Sequence, residues 1–255
     1  MSHPRPSIRS RVCYLAAGLG LLQVLAFAQE PALPLARDIV ARHVAAIGGE
    51  AAYNAVKSVR LRGRFELTGQ NISANFEMLA ARPSKLLLHV DIPGLGVNES
   101  GYDGKVGWSL NPQTGPRLLT GRELDELATD ANFDSTLHPA SEFKELTTIG
   151  RTSYDGRLAF KLRAVFNSGV EQTEYFDAET GLQIGWEASR QTELGVVPTS
   201  AILRDYKKFG ALMQATTVVQ KALFLEQVLH VTTCEYDVVE AKAFDLPASI
   251  KALVK

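Results

Sequence analysis

The sequence predicts a mainly β protein of the α+β class, built on a strongly twisted antiparallel sheet with helices on one face. Three observations support this prediction. From residue 59 onwards, successive runs alternate apolar and polar residues, as half-buried strands do. Asp-Gly pairs at 103–104 and 155–156 separate such runs and are strong hairpin signals. Helical spacing is confined to 33–59 and 120–146, so the helices are expected to cover the sheet.

The chain of 255 residues opens on a predicted secretory signal peptide, residues 1–28. Arginines without any acid precede an uncharged apolar run at 12–28, and Ala26-Phe27-Ala28 is a small-residue cleavage site. An uncleaved membrane anchor is the alternative, although the run is at the short limit for a span. We therefore expect an exported, periplasmic protein that is cleaved near Ala28, with 29–255 as a single domain and with membrane association as the alternative.

Composition excludes several classes of function. The only charged residues in the signal peptide are arginines, so its removal leaves a chain with a net negative charge and no general attraction for nucleic acid. Cys13 lies in the signal peptide and Cys234 is then the one cysteine left, which excludes an internal disulfide and predicts a small buried apolar side chain. No zinc-protease, nucleophile-elbow, phosphate-loop or dinucleotide motif is present. We predict no catalytic residue, no metal site and no cofactor.

The elements follow in order. Residues 33–49 have helical periodicity, which Gly48-Gly49 ends, and a second short helix follows. A strand at 59–69 places Arg60, Arg62 and Arg64 on one face, which we interpret as a solvated face because acidic residues lie close by.

Strands at 72–80 and 85–94 come next. Three hairpin turns are predicted further along the chain, at Asp103, Asp155 and Asp177, where a carboxylate can accept hydrogen bonds from its own turn. After residue 198 the chain returns to strands.

The segment 120–146 lacks the alternation of the strands and is predicted to be a helix. Thr120 and Glu123 have the spacing of a capping box, and His138-Pro139 ends the segment. Leu124 and Leu127 share its apolar face. Its acids, Asp125, Glu126 and Asp130, are expected on the solvated face.

Three stretches together resemble the outer-membrane lipoprotein-sorting superfamily, the LolA/LolB-like proteins and their periplasmic relatives. They are "ARHVAAIGGEAAYNAVKSVRLRGRFE", "DIPGLGVNESGYDGKVGWSLNPQTGPRLLTGREL" and "YFDAETGLQIGWE". The resemblance covers nearly all of the mature chain in pattern and element order. It implies a curved antiparallel half-barrel with an N-terminal helix, closed by a helical lid at 120–146 over an apolar cavity that holds acyl chains.

The expected function is non-enzymatic binding of lipids or of lipoprotein acyl chains in the bacterial cell envelope, by a monomer with an envelope protein as a further partner. Two alternatives stay open: a structural or partner-binding β-domain with a packed core, and an enzyme acting on an apolar envelope substrate. The two tryptophans could line the ligand cavity, but packing in the core is the default interpretation for both. The residues predicted to line the ligand cavity are Phe65, Phe76, Leu88, Trp108, Leu124, Leu127, Phe160 and Trp186.

Overall fold

A single open sheet of antiparallel strands forms the body of the protein. The computed structural model describes Met1 and residues 32–70, 72–192 and 195–254. The predicted signal peptide, with its cleavage site at Ala28, lies outside these residues apart from Met1. The strands are β1 Ser58–Leu67, β2 Ile72–Ala81, β3 Lys85–Ile92, β4 Gly96–Tyr102, β5 Gly107–Asn111, β6 Gly115–Leu118, β7 Phe143–Tyr154, β8 Arg157–Phe166, β9 Glu171–Asp177, β10 Gln183–Thr192, β11 Gly195–Phe209, β12 Leu212–Ala222 and β13 Leu225–Tyr236.

The sheet consists of two meanders joined along one seam. Its spatial order is β6-β5-β4-β3-β2-β1-β13-β12-β11-β10-β9-β8-β7. Strands β1–β6 therefore form one meander and β7–β13 the other, and β1 pairs with β13 between them. The edges β6 and β7 do not pair with each other, so the curved sheet is a half-barrel, as predicted.

Few helices accompany the sheet in the described part of the chain. They are α1 Ala36–Ala46, α2 Glu50–Ala55, α3 Gly121–Asp130 and α4 Ala248–Lys251, with 3-10 turns at Phe133–Leu137, Ala140–Glu142 and Ala241–Phe244. None of the helices in the described residues is long and apolar enough to cross a membrane.

Helix α1 ends where the sequence predicts. Gly48 and Gly49 have φ of 122° and 91°, values that glycine adopts at little cost, so the chain leaves the helix there. The buried side of α1 packs through Ile39 and Val40 on the sheet residue Phe160 and its neighbours, so the helix covers this part of the sheet.

The three predicted aspartate turns are confirmed, with one difference in chemistry. Asp103 Oδ1 accepts from the backbone N–H groups of Lys105 and Val106 at 2.8 and 2.7 Å. Asp177 makes the same kind of turn. Asp155 also occupies its turn, at φ 50°, but its carboxylate pairs with Arg204 and not with its own backbone.

The arginine row of β1 faces outward, as the sequence suggests. Arg62 Nε lies 2.7 Å from Glu77 Oε1, and half of the arginine side chain is exposed. The pairing with acids across the strands confirms a solvated face and leaves no basic stripe.

Candidate functional site

The concave face of the half-barrel encloses two adjoining cavities, here called the large chamber and the small chamber. Their volumes are about 580 and 430 Å³. The small chamber lies toward the β1–β2 and β12–β13 turns, and the large chamber extends to α2 and the 3-10 turn at 133–137. Both are lined by Ser100, Leu127, Asp130, Trp186, Arg190 and Gln220.

One wall of the large chamber is apolar. It comes from the inward-facing residues of β1, β2 and β3. The register places Leu61 opposite Met78 and Met78 opposite Leu88, so these side chains form a row across three strands. The apolar wall consists of Val59, Leu61, Met78, Ala80, Leu86 and Leu88.

The opposite wall, from β9, β10 and β12, is polar. The prediction of an apolar cavity is therefore correct for only one of the two walls. Gln220 accepts a hydrogen bond from Gln227 of β13, and Gln172 Nε2 donates to Glu174 Oε1 at 2.5 Å. The polar wall consists of Gln172, Glu174, Gln183, Arg190, Gln214 and Gln220.

Helix α3 covers the cavity and is fixed to β10 by buried Glu126, whose exposed fraction is 5%. Its carboxylate accepts from Arg122 Nε at 2.8 Å and from the backbone N–H of Gln191 at 2.9 Å. Pairing of β10 with β9 ends at Ala188. The N–H of Gln191 lies beyond that point and has no partner on β9, so Glu126 supplies the acceptor that a neighbouring strand would otherwise provide. The prediction that Glu126 lies on the solvated face is wrong, because the carboxylate completes the sheet edge.

Asp130, at the end of α3, joins the lid to the polar wall. Its Oδ1 lies 3.0 Å from Arg190 Nη2, and the Arg190 guanidinium lies 5.2 Å from the centre of the Trp186 ring. The cavity leaves 48% of the Asp130 side chain accessible, but protein lies around it on most sides. The loss of bulk water raises the pKa of Asp130, and the attraction of Arg190 only partly opposes this rise. The lid therefore contacts the wall through a charge pair inside the cavity.

The lid is shorter and differently capped than predicted. Thr120 is the residue before α3 but makes no side-chain capping bond, and Glu123 pairs with Arg117 at 2.8 Å instead of forming a capping box. After Asp130 the chain continues in 3-10 turns, and from Phe143 it is strand β7, so the helix prediction fails over 131–146.

A buried histidine–glutamate pair lies at the boundary of the large chamber. His138 Nε2 is 2.8 Å from Glu174 Oε2, and His138 Nδ1 is 3.1 Å from the carbonyl oxygen of Thr136. A carbonyl only accepts, so with an ionised Glu174 both ring nitrogens must carry protons and His138 is an imidazolium. Burial lowers the pKa of His138, but the attraction and hydrogen bond of Glu174 outweigh it and raise the pKa overall.

Glu174 shows the complementary shift. Burial by itself would raise its pKa, but the charge and hydrogen bond of His138 and the hydrogen bond from Gln172 lower it. His138 also borders a groove of about 630 Å³ between α1 and the start of β7, so the ion pair stands between that groove and the chamber.

Three of the predicted cavity residues line the chambers: Leu88, Leu127 and Trp186. Phe65 and Phe76 belong to the apolar cluster around Leu61. They lie on the same face of the sheet as the apolar wall but are not among the residues that line the chambers. Whether these residues contact a ligand stays a prediction.

The other predicted residues lie elsewhere. Leu124 points from α3 toward Gly107, where an added Cβ would lie 2.7 Å from its Cδ1. Phe160 is covered by α1. Trp108 lies against Gly101, and it neighbours Ser109 of the small chamber along β5. Since successive side chains point to opposite faces of a strand, Trp108 is on the convex face.

The polar wall and the lid contacts were not predicted from the sequence. Glutamines in alternating strands have the pattern of a solvated face, and only the curvature of the sheet shows that they are enclosed. The spacing of Arg122 and Glu126, four residues apart on a helix, was the one available signal. Among the described residues, no group of three or more His, Cys, Asp or Glu side chains is arranged to hold a metal ion.

Comparison with known proteins shows a likeness in structure alone. No protein-family model matches the chain, and no curated protein matches it in sequence. A DUF1329 family protein from Desulfovibrio piger has a TM-score of 0.58 at 13% identity, covering 84% of this chain and 98% of that one. A LolA superfamily protein from Nitrosomonas europaea has a TM-score of 0.55 at 12% identity, covering 84% and 99%.

A Vibrio parahaemolyticus domain attributed to outer membrane lipoprotein sorting has a TM-score of 0.54 at 12% identity, covering 82% of this chain and 95% of its own. At these identities the comparison concerns the fold. The chain has the fold of the LolA superfamily and of lipoprotein-sorting domains, as its sequence pattern suggests.

Proposed function

We propose that the protein binds lipids or the acyl chains of lipoproteins in the bacterial cell envelope, as an exported monomer without catalytic activity. The observation that carries the proposal is the large chamber beneath α3, with the apolar wall along one side. Burial of each guest methylene contributes roughly 0.8 kcal/mol, so an acyl chain binds such a wall without precise polar contacts.

The fold comparisons support this proposal. A LolA superfamily protein and a domain attributed to lipoprotein sorting share the fold over nearly their whole length. An envelope protein that delivers or receives the guest would be the natural partner, and export follows from the predicted signal peptide.

The packed-core alternative is disfavoured by the cavity. It requires no cavity larger than a few waters, and one water occupies about 30 Å³ in the liquid. The large chamber, at about 580 Å³, is far bigger than that.

The first test is native mass spectrometry of protein purified from a periplasm without detergent, followed by organic extraction. We expect a stoichiometric co-purified lipid. An empty protein that also fails to take up a fluorescent fatty acid would refute the proposal.

A substitution series then tests the position of the guest. Leu127→Asp places a charge on the lid side of the chambers and should lower the bound fraction at least tenfold, because the guest would be held against a carboxylate. Leu158→Asp is the matched control, since Leu158 on β8 is 59% exposed. Unchanged occupancy in a folded Leu127→Asp protein would exclude the lid from the site.

A further inference from the structure

The two walls of the chambers differ in chemistry, and this difference constrains the guest. An acyl chain can cover the apolar wall, but against the polar wall it would face amide and guanidinium groups whose remaining donors and acceptors it cannot bond. Polar groups that are buried without hydrogen-bond partners destabilise a complex. A guest that suits both walls has an apolar chain and a hydrogen-bonding head.

Arg190 shows what kind of head fits. Its side chain is 13% exposed, and Nη2 donates to Asp130 at 3.0 Å. Its Nη1 is fully buried and has no hydrogen-bond partner among the described residues. A guanidinium only donates, so the missing partner is an acceptor oxygen.

The remaining charged groups that line the chambers are paired with each other or with a neighbour. Arg117 binds Glu123 through two hydrogen bonds, and Glu126 accepts from a neighbouring arginine. His138 and Glu174 form the buried pair. Arg190 lines both chambers next to the face of Trp186, and Nη1 is the donor that its pair with Asp130 leaves unused.

We propose that the polar wall is a headgroup site and that the chambers take a single-chain anionic amphiphile, with its head oxygen on Arg190 and its chain along β1–β3. This inference rests on the proposed function and names the guest more closely. Each chamber lies within the range of about 300–1,000 Å³ that holds one small ligand, which favours one chain with its head over a bundle of chains. The carboxylate of a fatty acid and the phosphate of a lipid head share the chemistry that Arg190 would bind.

The test compares three probes with the same chain, each used below its solubility limit or micelle concentration at about pH 8, where a carboxylic acid is ionised. They are hexadecanoate, hexadecyl phosphate and hexadecan-1-ol, measured by displacement of a fluorescent fatty acid from delipidated protein. We expect the wild-type protein to bind at least one anion about tenfold more tightly than the alcohol, a difference of about 1.4 kcal/mol. Preference for the carboxylate or for the phosphate would identify the source of the head.

Arg190→Met keeps the length of the side chain and removes its donors, so it should abolish the preference for anions and weaken binding of the alcohol much less than binding of the anions. Since this variant leaves Asp130 unpaired, Arg190→Met with Asp130→Asn serves as a second variant. Arg204→Met is the matched control, because Arg204 pairs with Asp155 at a turn that does not line the chambers.

The outcomes separate the two proposals. If no probe binds, the proposed function fails. If all three bind equally to the wild-type protein, or if the preference survives in both Arg190 variants, the headgroup site fails while acyl-chain binding stands.

Discussion

Acidification should destabilise this protein through one buried histidine on α1. His43 is 1% exposed, and its Nδ1 accepts the backbone N–H of Gln183 at 3.2 Å. Burial, and then the positive charge of His138, lower its pKa to about 3. The folded protein therefore keeps His43 neutral at pH values where the unfolded chain takes up a proton.

The sign and size of the effect follow from this difference. Below the ordinary pKa of 6.5 the unfolded state binds a proton that the folded state does not, so stability falls as the pH falls from 6.5 toward 3. Between about pH 7.5 and about pH 5 the contribution of His43 amounts to about 2 kcal/mol of lost stability. The result barely depends on the folded pKa, because the lower pH still lies well above it.

The assay is urea unfolding of the wild-type protein and of His43→Gln at both pH values. Glutamine does not titrate, and its side-chain oxygen can accept from the same backbone group. On acidification the free energy of unfolding of the wild-type protein should fall by about 2 kcal/mol more than that of the variant, since other titrating groups contribute equally to both. An equal loss in the two proteins would refute the assignment of a neutral, buried His43.

Two further predictions concern the lid and the seam. Glu126→Ala should lower the free energy of unfolding by about 1–3 kcal/mol, because the partly buried N–H of Gln191 loses its acceptor. Hydrogen exchange in α3 would report the loss, and Asp125→Ala, at an exposed residue of the same helix, is the control and should change little. Gly63→Ala should destabilise the protein by about 3 kcal/mol or more, because the new Cβ would lie 1.8 Å from a carbonyl oxygen of β13. Gly150→Ala, with nothing within 4 Å, should melt close to the wild-type temperature, and similar melting of both glycine variants would contradict the reasoning.

The strands and turns were predictable because their signals are local. Alternation and Asp-Gly pairs depend on neighbouring residues, and both give the hairpins correctly. The chemistry of a turn is less local. The sequence could not show that Asp155 binds Arg204, which lies 49 residues further along the chain.

The candidate site was predictable only in part, because it depends on which face of the sheet is enclosed. Leu88 and Trp186 have the apolar character that a cavity suggests, and the structure places both on its walls. Trp108 has the same character but lies on the convex face. The sequence pattern predicts that Gln220 is exposed to solvent. The structure places it on the cavity wall, because the sheet curves around it.

The seam between β1 and β13 has a consequence for how the protein folds. Strands within each meander pair with their neighbours in sequence, whereas at the seam Thr232 Oγ1 donates to the carbonyl oxygen of Arg62 across 170 residues of chain. Contacts between distant segments carry a larger loop-closure entropy and form slowly. We expect the meanders to assemble first and the seam to close last. The apolar wall and the polar wall belong to different meanders, so the cavity exists only after this final step, and a bound guest would stabilise the seam.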